Sequence, residues 1–348
     1  MKLLETIFSV KNSKHHKIVT ILGLKLKFFS TKLYLNDLKK KLRPTLKYTA
    51  YAKYQINKGM IDVQITKFKN RDIIGVNRES KRLPRIIVSL TTFPERIGDV
   101  HYAIYSLLNQ TLKPDEVILW LAEEQFPDRE EDLSQEVLDL VNHGVTIKYT
   151  KDLKSYKKII PALSEYPEDI LVTADDDIFY PPTWLEQLYE TYLKNPYTIC
   201  AHRVHKVALD KRNKILPFAK WCDLIDDESC SILNHPTTGG GILYPPHSLY
   251  KDVTRIDLIE ALSPTCDESW LWAMSVLNKI STKIVKNPVK RIAKVNVLRD
   301  ACFGKEVTLS RENWDANKKD EQLNKIVEYY PQILEILKEE QKSTGVNV

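Results

Sequence analysis

Cysteine, glycine and long apolar runs are all scarce in this sequence, and each scarcity removes a class of protein. The five cysteines among 348 residues are odd in number, scattered and never spaced C-x-x-C. That excludes a disulfide framework and a cysteine zinc site, and it points to reduced thiols in a cytoplasmic setting. No window of 18 residues is uninterruptedly apolar, since Ile18 to Ser30 is broken by Lys25 and Lys27. Neither a transmembrane helix nor a secretory signal is therefore expected. There is no internal repeat. Glycine supplies only ten residues, yet three are consecutive, Gly239 to Gly241; the backbone there must turn sharply or admit a close neighbour.

What is present is an ordinary apolar fraction of 43%, enough for one sizeable core, and a net charge of +6 that is unevenly spread. Residues 1 to 85 carry 21 Lys or Arg against five Asp or Glu, which leaves 31 against 41 for the remainder. Lysines interleaved with Phe28, Phe29, Tyr34, Tyr48 and Tyr51 suit an anionic membrane surface. A charged helical subdomain is the plainer alternative, and no nucleic-acid module is recognisable, so no nucleic-acid partner is expected. Residues 1–82 are accordingly read as a basic extension.

From Leu83 the texture changes to strand and helix in alternation. Arg85 to Thr92, Glu116 to Leu121, Val145 to Tyr149 and Ile170 to Thr173 have the composition of buried strands. Helical spacing falls between them at Val100 to Gln110, Arg129 to His143 (with Gly144 as its cap) and Ser155 to Tyr166. This order predicts an α/β domain over 83–300 with a mostly parallel, helix-covered sheet. Further helices are expected after Pro181 and Pro182, near Leu249 to Leu262, and from Asp267. A strand is expected over Thr198 to Leu209, and residues 301–348 read as a helical tail interrupted at Pro331.

The strand at Ile170 ends in Asp175, Asp176 and Asp177. In an extended chain the first and third of these share a side. Two carboxylates roughly 5 to 6 Å apart repel by about 3 kcal/mol at an effective dielectric near 20, and a divalent cation would reverse that. In an open parallel sheet such a tip sits where ligands bind. Asp267 and Glu268 open a helix, where acids also serve simply as caps. A metal site, a glycine-lined wall and an acid pair are the parts needed to displace a diphosphate and deprotonate an incoming hydroxyl. His202 and His205 point to opposite faces of a strand and cannot chelate together. Trp270 could stack on a sugar, although core packing is the more ordinary fate of such a residue.

Six pieces in this order resemble bacterial family-2-like glycosyltransferases with the GT-A fold, over about residues 84 to 300. They are Ser89-Leu-Thr-Thr-Phe-Pro-Glu-Arg-Ile97, Ser106-Leu-Leu-Asn-Gln-Thr111, Lys154-Ser-Tyr-Lys-Lys158, Thr173-Ala-Asp-Asp-Asp-Ile178, the glycine triplet and Asp267-Glu-Ser-Trp270. The resemblance implies a nucleotide-sugar donor, with a UDP-sugar as the expectation, held by Thr91, Arg96, Lys157, Asp175 and Asp176. It implies Mg²⁺ or Mn²⁺ on Asp177 and Asp175, and a glycan or lipid-linked acceptor near Gly239, Gly240, Gly241 and Trp270. The general base of an inverting transfer falls on Asp267 or Glu268, with Glu268 aligning better. The setting implied is surface polysaccharide assembly at the inner face of a bacterial membrane. Many relatives add a histidine metal ligand after the base; here the last histidine is His247, which leaves Asn296, Asp300, Asp315 or water for that place. Rival readings are a retaining transferase, a two-metal nucleotidyltransferase, and a basic binding protein with an inactive domain.

Overall fold

A computed structural model describes residues 8–13, 16–21, 24–29, 58–71, 73–226, 228–289, 293–296 and 318–344. The chain forms two compact units, Met1–Met60 and Ile61–Val348. In the first, β1 (Phe8–Ser13), β2 (His16–Ile21) and β3 (Leu24–Phe29) make an antiparallel meander. A purely helical extension is therefore excluded there; β-branched and aromatic residues alternating with lysine favour strands. Lys17 and Lys27 are exposed. Tyr34, Tyr48 and Tyr51 lie outside the described residues.

The large unit is built on β4 (Ile86–Thr91), β5 (Glu116–Ala122), β6 (Val145–Thr150), β7 (Ile170–Thr173), β8 (Ile199–Ala201), β9 (Val204–Lys206), β10 (Cys230–Ser231), β11 (Asn234–Pro236), β12 (Ile242–Tyr244) and β13 (Thr282–Ile284). Eight of these form one sheet in the order β10-β13-β8-β12-β7-β4-β5-β6, and β9 pairs with β11 apart from it. The run β7-β4-β5-β6 is parallel, while β12 is antiparallel to both its neighbours. Connections leave β4 in one direction to β5 and later return on its other side to β7. The carboxyl ends of β4 and β7 therefore form the switch point where open α/β sheets bind ligands.

Alternation along the strands feeds two cores. Ile86, Val88, Leu90, Val117, Leu119 and Leu121 face one layer, and Ile87, Ile118 and Trp120 the other. The first layer is closed by α1 (Val100–Leu108), α2 (Gln135–Val141) and α4 (Trp184–Lys194), the second by α3 (Ile160–Glu165), α5 (Ile256–Leu262) and α6 (Asp267–Leu277). Ile65, Phe68 and Val76 belong to the first core, so residues 61–82 pack with the large unit although sequence texture grouped them with the extension. The tail forms α7 (Lys318–Tyr329) and α8 (Gln332–Thr344), which break at Pro331 as the sequence predicts. Leu323, Ile326, Ile333 and Leu337 bury themselves in the second core.

Several expected elements are shorter than their hydrophobic spacing suggested. The helix over Arg129 to His143 is a 3-10 turn and then α2, and Gly144 follows at φ +117°, as a helix cap requires. The expected strand over Thr198 to Leu209 is β8 and β9 with His202 and Arg203 between them. Pro181 and Pro182 precede α4, and their carbonyls accept hydrogen bonds from Gln110 and Thr111.

Gly241 is a position only glycine satisfies. Its φ is +85°, and a Cβ there would lie 2.3 Å from the Trp184 ring. Gly241→Ala should destabilise the large unit by about 2 kcal/mol or more, from left-handed strain together with displacement of a buried indole. Chemical denaturation measures this; an unchanged midpoint would contradict it.

Candidate active site

The acidic tip follows β7 directly, but residues 176–177 form a turn, so the three side chains do not alternate as they would in an extended strand. Asp175 accepts a hydrogen bond from Lys158 Nζ at 2.7 Å. Asp176 is held by Thr92 Oγ1 at 2.7 Å and by Arg96 at 2.5 Å. Asp177 meets Lys294 Nζ at 2.6 Å and shares Arg96 at 3.2 Å. Asp176 is thus spent on the loop after β4, and its side chain is 7% exposed against 24% for Asp175 and 15% for Asp177. Burial pushes the Asp176 carboxyl up, opposed by Arg96. Burial would lower Arg96 as well, but Asp176 and Asp177 outweigh it and raise the guanidinium.

All three carboxylates line a cleft of about 650 Å³ whose opposite wall carries Thr237, Thr238, Gly239, Asp267 and Glu268. The two walls are tied by Lys158. Its buried ammonium lies 2.7 Å from Asp175 and 3.2 Å from Asp267 Oδ2. Burial alone would lower its pKa; Asp175 and Asp267 prevail and raise it, so the charge persists.

Asp267 and Glu268 are adjacent in sequence and opposite in environment. Burial pushes Asp267 up, with Lys158 opposing, and its Oδ2 receives no hydrogen bond beyond that ion pair. Burial pushes Glu268 the same way, but Lys319 and the Thr238 N–H outweigh it and hold the carboxyl below its ordinary value. Both Glu268 oxygens are engaged: Oε1 accepts from Thr238 N at 2.9 Å, and Oε2 lies 3.2 Å from Lys319 Nζ. A carboxylate so occupied is a poor proton acceptor. The resemblance favours Glu268 as base, whereas on these contacts Asp267 is the less engaged of the two acids.

Other expected residues divide. Thr91, Arg96, Lys157 and Gly239 line the cleft. Thr91 Oγ1, however, donates to the Trp120 carbonyl at 2.8 Å and Lys157 pairs with Asp152 at 2.7 Å, so their neighbours Thr92 and Lys158 are the residues that reach the acidic tip. Gly240 and Gly241 do not line it. Their missing side chains make room for the Arg203 stem and the Trp184 ring instead. Trp270 is corrected to a core residue: it is fully buried, donates to the Val253 carbonyl at 3.0 Å and packs near Tyr330. The reason is that α7 and α8 cover α6, whose residues beyond the acid pair are apolar on nearly every face.

Mg²⁺ is commonly held by one or two carboxylates together with substrate phosphates; Asp175 and Asp177 are carboxylates of that type in the cleft, each paired here with a lysine, Lys158 and Lys294. Among the described residues no third His, Cys, Asp or Glu joins them in a metal-holding group. Asn296 instead donates to Asp99 at 2.8 Å, and Asp300 and Asp315 lie outside the described residues. Lys294, Lys319, Thr238 and Arg203 were missed from sequence. The first two are remote in the chain with no local motif, and Arg203 stood unremarked between two histidines.

A mostly parallel, helix-covered sheet is consistent with a GT-A-like α/β fold. The sequence model of Glycosyl transferase family 2 matches residues 88–242, which supports a family-2-like glycosyltransferase domain over that segment. No curated protein matches the chain in sequence. Two solved structures similar to it are CMP:2-keto-3-deoxy-manno-octonic acid synthetase complexed with CTP and the inositol-1-phosphate CTP transferase from T. maritima. The first is 12% identical, with a TM-score of 0.32, over 57% of this chain and 88% of that one. The second is 16% identical, with a TM-score of 0.38, over 70% and 96%.

Proposed function

We propose that the protein moves a sugar from a nucleotide diphosphate sugar, with UDP-sugars the first donors to test, to a hydroxyl of a glycan or lipid-linked acceptor with inversion. The observation that carries this reading is the meeting of two half-sites in one cleft, the acidic tip with its cations and the Asp267–Glu268 pair, joined through Lys158. Arg96 and Thr92 position the tip. Thr238 and Lys319 hold Glu268 ionised, and Asp267 stands as acceptor of the incoming hydroxyl's proton. Mg²⁺ or Mn²⁺ bound by Asp175 and Asp177 would neutralise the departing nucleoside diphosphate. Sugar nucleotides screened for binding and slow hydrolysis, with and without Mn²⁺, test the reading. Release of nucleoside diphosphate supports it, whereas release of pyrophosphate would make the enzyme a nucleotidyltransferase.

We further place the enzyme at an anionic membrane surface, in surface polysaccharide assembly. Residues 1–60 carry 14 Lys or Arg against two Asp or Glu, and among the described residues no helix is long and apolar enough to cross a membrane. Attraction of this kind acts within a Debye length of about 8 Å at physiological salt. Full-length protein should co-sediment with anionic vesicles at low salt, more weakly at high salt. A version beginning at Ile61, where the large unit starts, should lose that binding. Equal sedimentation of both, or indifference to lipid charge, would remove the membrane placement.

A further inference from the structure

The six carboxylates that line the cleft all have a lysine or arginine within ion-pair distance: Asp152 has Lys157, Asp175 and Asp267 share Lys158, Asp176 and Asp177 share Arg96, and Glu268 has Lys319. Two lining cations are left without such a carboxylate among the described residues. Lys154 is one, and it is exposed. Arg203 is the other, and it is different. It is half-buried, and its Nε is shut off from solvent without a hydrogen-bond partner. Its stem is clamped where Gly240 lacks a side chain, with Cγ only 2.7 Å from the place a Cβ would take.

A guanidinium held this way is costly unless something completes it. Burial pulls its pKa down, and Glu268, Asp223 and Asp175 act on it only at a distance. Its neighbours are those of the wall opposite the acidic tip: its carbonyl accepts from Thr237 N at 2.9 Å, and His205 and Phe218 line the same part of the cleft. His205 is itself engaged by Asp223 at 2.9 Å, and burial lowers its pKa, so it adds no competing charge near neutral pH. Phe218 is engaged by the His205 and Trp221 rings and by Lys319 Nζ, 3.9 Å from its centroid.

From this arrangement we propose that Arg203 forms an anion subsite for the acceptor, which carries a carboxylate or phosphate close to the hydroxyl that is glycosylated. This rests on the transferase reading above and narrows it. A planar guanidinium pairs with either oxyanion through two parallel hydrogen bonds, a geometry that lysine cannot supply. A neutral acceptor would leave this half-buried guanidinium without a counter-charge, which is how a site rejects the analogue lacking its partner group.

The test is binding, with the donor half filled by saturating UDP. Methyl glucuronide, methyl glucoside 6-phosphate and methyl glucoside are titrated against wild type, Arg203→Gln and Arg203→Lys, followed by ligand-observed NMR. Wild type should bind at least one anionic probe tenfold or more tightly than methyl glucoside. Which anion wins distinguishes a sugar acid from a phosphorylated or lipid-phosphate acceptor. Arg203→Gln should erase the preference; Arg203→Lys, the milder change to the fold, should keep only part of it. Equal binding of charged and neutral probes by wild type would overturn the proposal, as would an undiminished preference in both variants. A fall in UDP affinity that matches the fall for the anionic probe would move Arg203 to the donor half and overturn it as well. Wild-type protein that binds no nucleoside diphosphate would sink the transferase reading instead, and the comparison among the three sugars would still be readable.

Discussion

Asp177→Asn is expected to lower sugar transfer at least thirtyfold while leaving the thermal unfolding transition near its wild-type value. The substitution keeps the size of the side chain and removes the charge, so a divalent cation held by Asp175 and Asp177, as proposed, would lose one of its two protein ligands. A loss of about 2 kcal/mol or more of transition-state stabilisation follows if that cation carries the leaving-group charge. The fold should survive, because Lys294 is an exposed partner of Asp177 and Arg96 keeps Asp176. Asp176→Asn should behave differently, since Asp176 fastens the loop after β4 through Thr92 and Arg96; its cost should fall on stability as well as rate. Steady-state rates with Mn²⁺, with excess EDTA, and after Mn²⁺ is restored measure the first effect. Full activity in EDTA, or an unimpaired Asp177→Asn enzyme, would defeat metal dependence.

The parts of this site that were legible in the sequence are those whose signal is local. Four apolar strands separated by helical spacing were enough to foresee the parallel sheet, and the Asp triplet closing the fourth strand marked the sheet edge at which the cleft opens. What stayed hidden depends on the third dimension. Lys319 reaches Glu268 from more than fifty positions along the chain, and only the packing of α7 on α6 brings it there. Lys157 and Lys158 are neighbours of identical type, and which of them faces the acids is decided by the 3-10 turn Lys154–Lys158. The glycine triplet was read as a substrate wall, but two of its members serve Arg203 and Trp184. Trp270 has the composition of a sugar platform, and the tail that covers it is what makes it core. Composition speaks for the chemistry a residue can do, and the covering elements decide whether it is exposed to do it.

Asp267→Asn should cost more in turnover than Glu268→Gln, on the order of 100 to 10,000-fold if Asp267 is the general base. The two acids differ in what is left for a proton. Glu268 has both oxygens engaged by Thr238 and Lys319 and is held below its ordinary value of 4.5. Asp267 is raised above its ordinary 3.8 by burial, and only Lys158 opposes the shift. A base must be ionised to act, so kcat/KM should fall as pH drops through the pKa of whichever acid does the work. With Asp267 as base, the acid limb lies above the usual aspartate range; with Glu268 it would lie below 4.5. Lys319→Met separates the two cases further. It removes the cation that keeps Glu268 low, so Glu268 should rise, and the acid limb should move with it only if Glu268 is the base. An acid limb that stays in place in Lys319→Met, together with a near-silent Asp267→Asn enzyme that still binds donor, fixes Asp267 in that role. A limb that shifts upward in Lys319→Met returns the role to Glu268, and near-normal rates in both amide variants would leave no carboxylate base on this wall and remove the inverting mechanism.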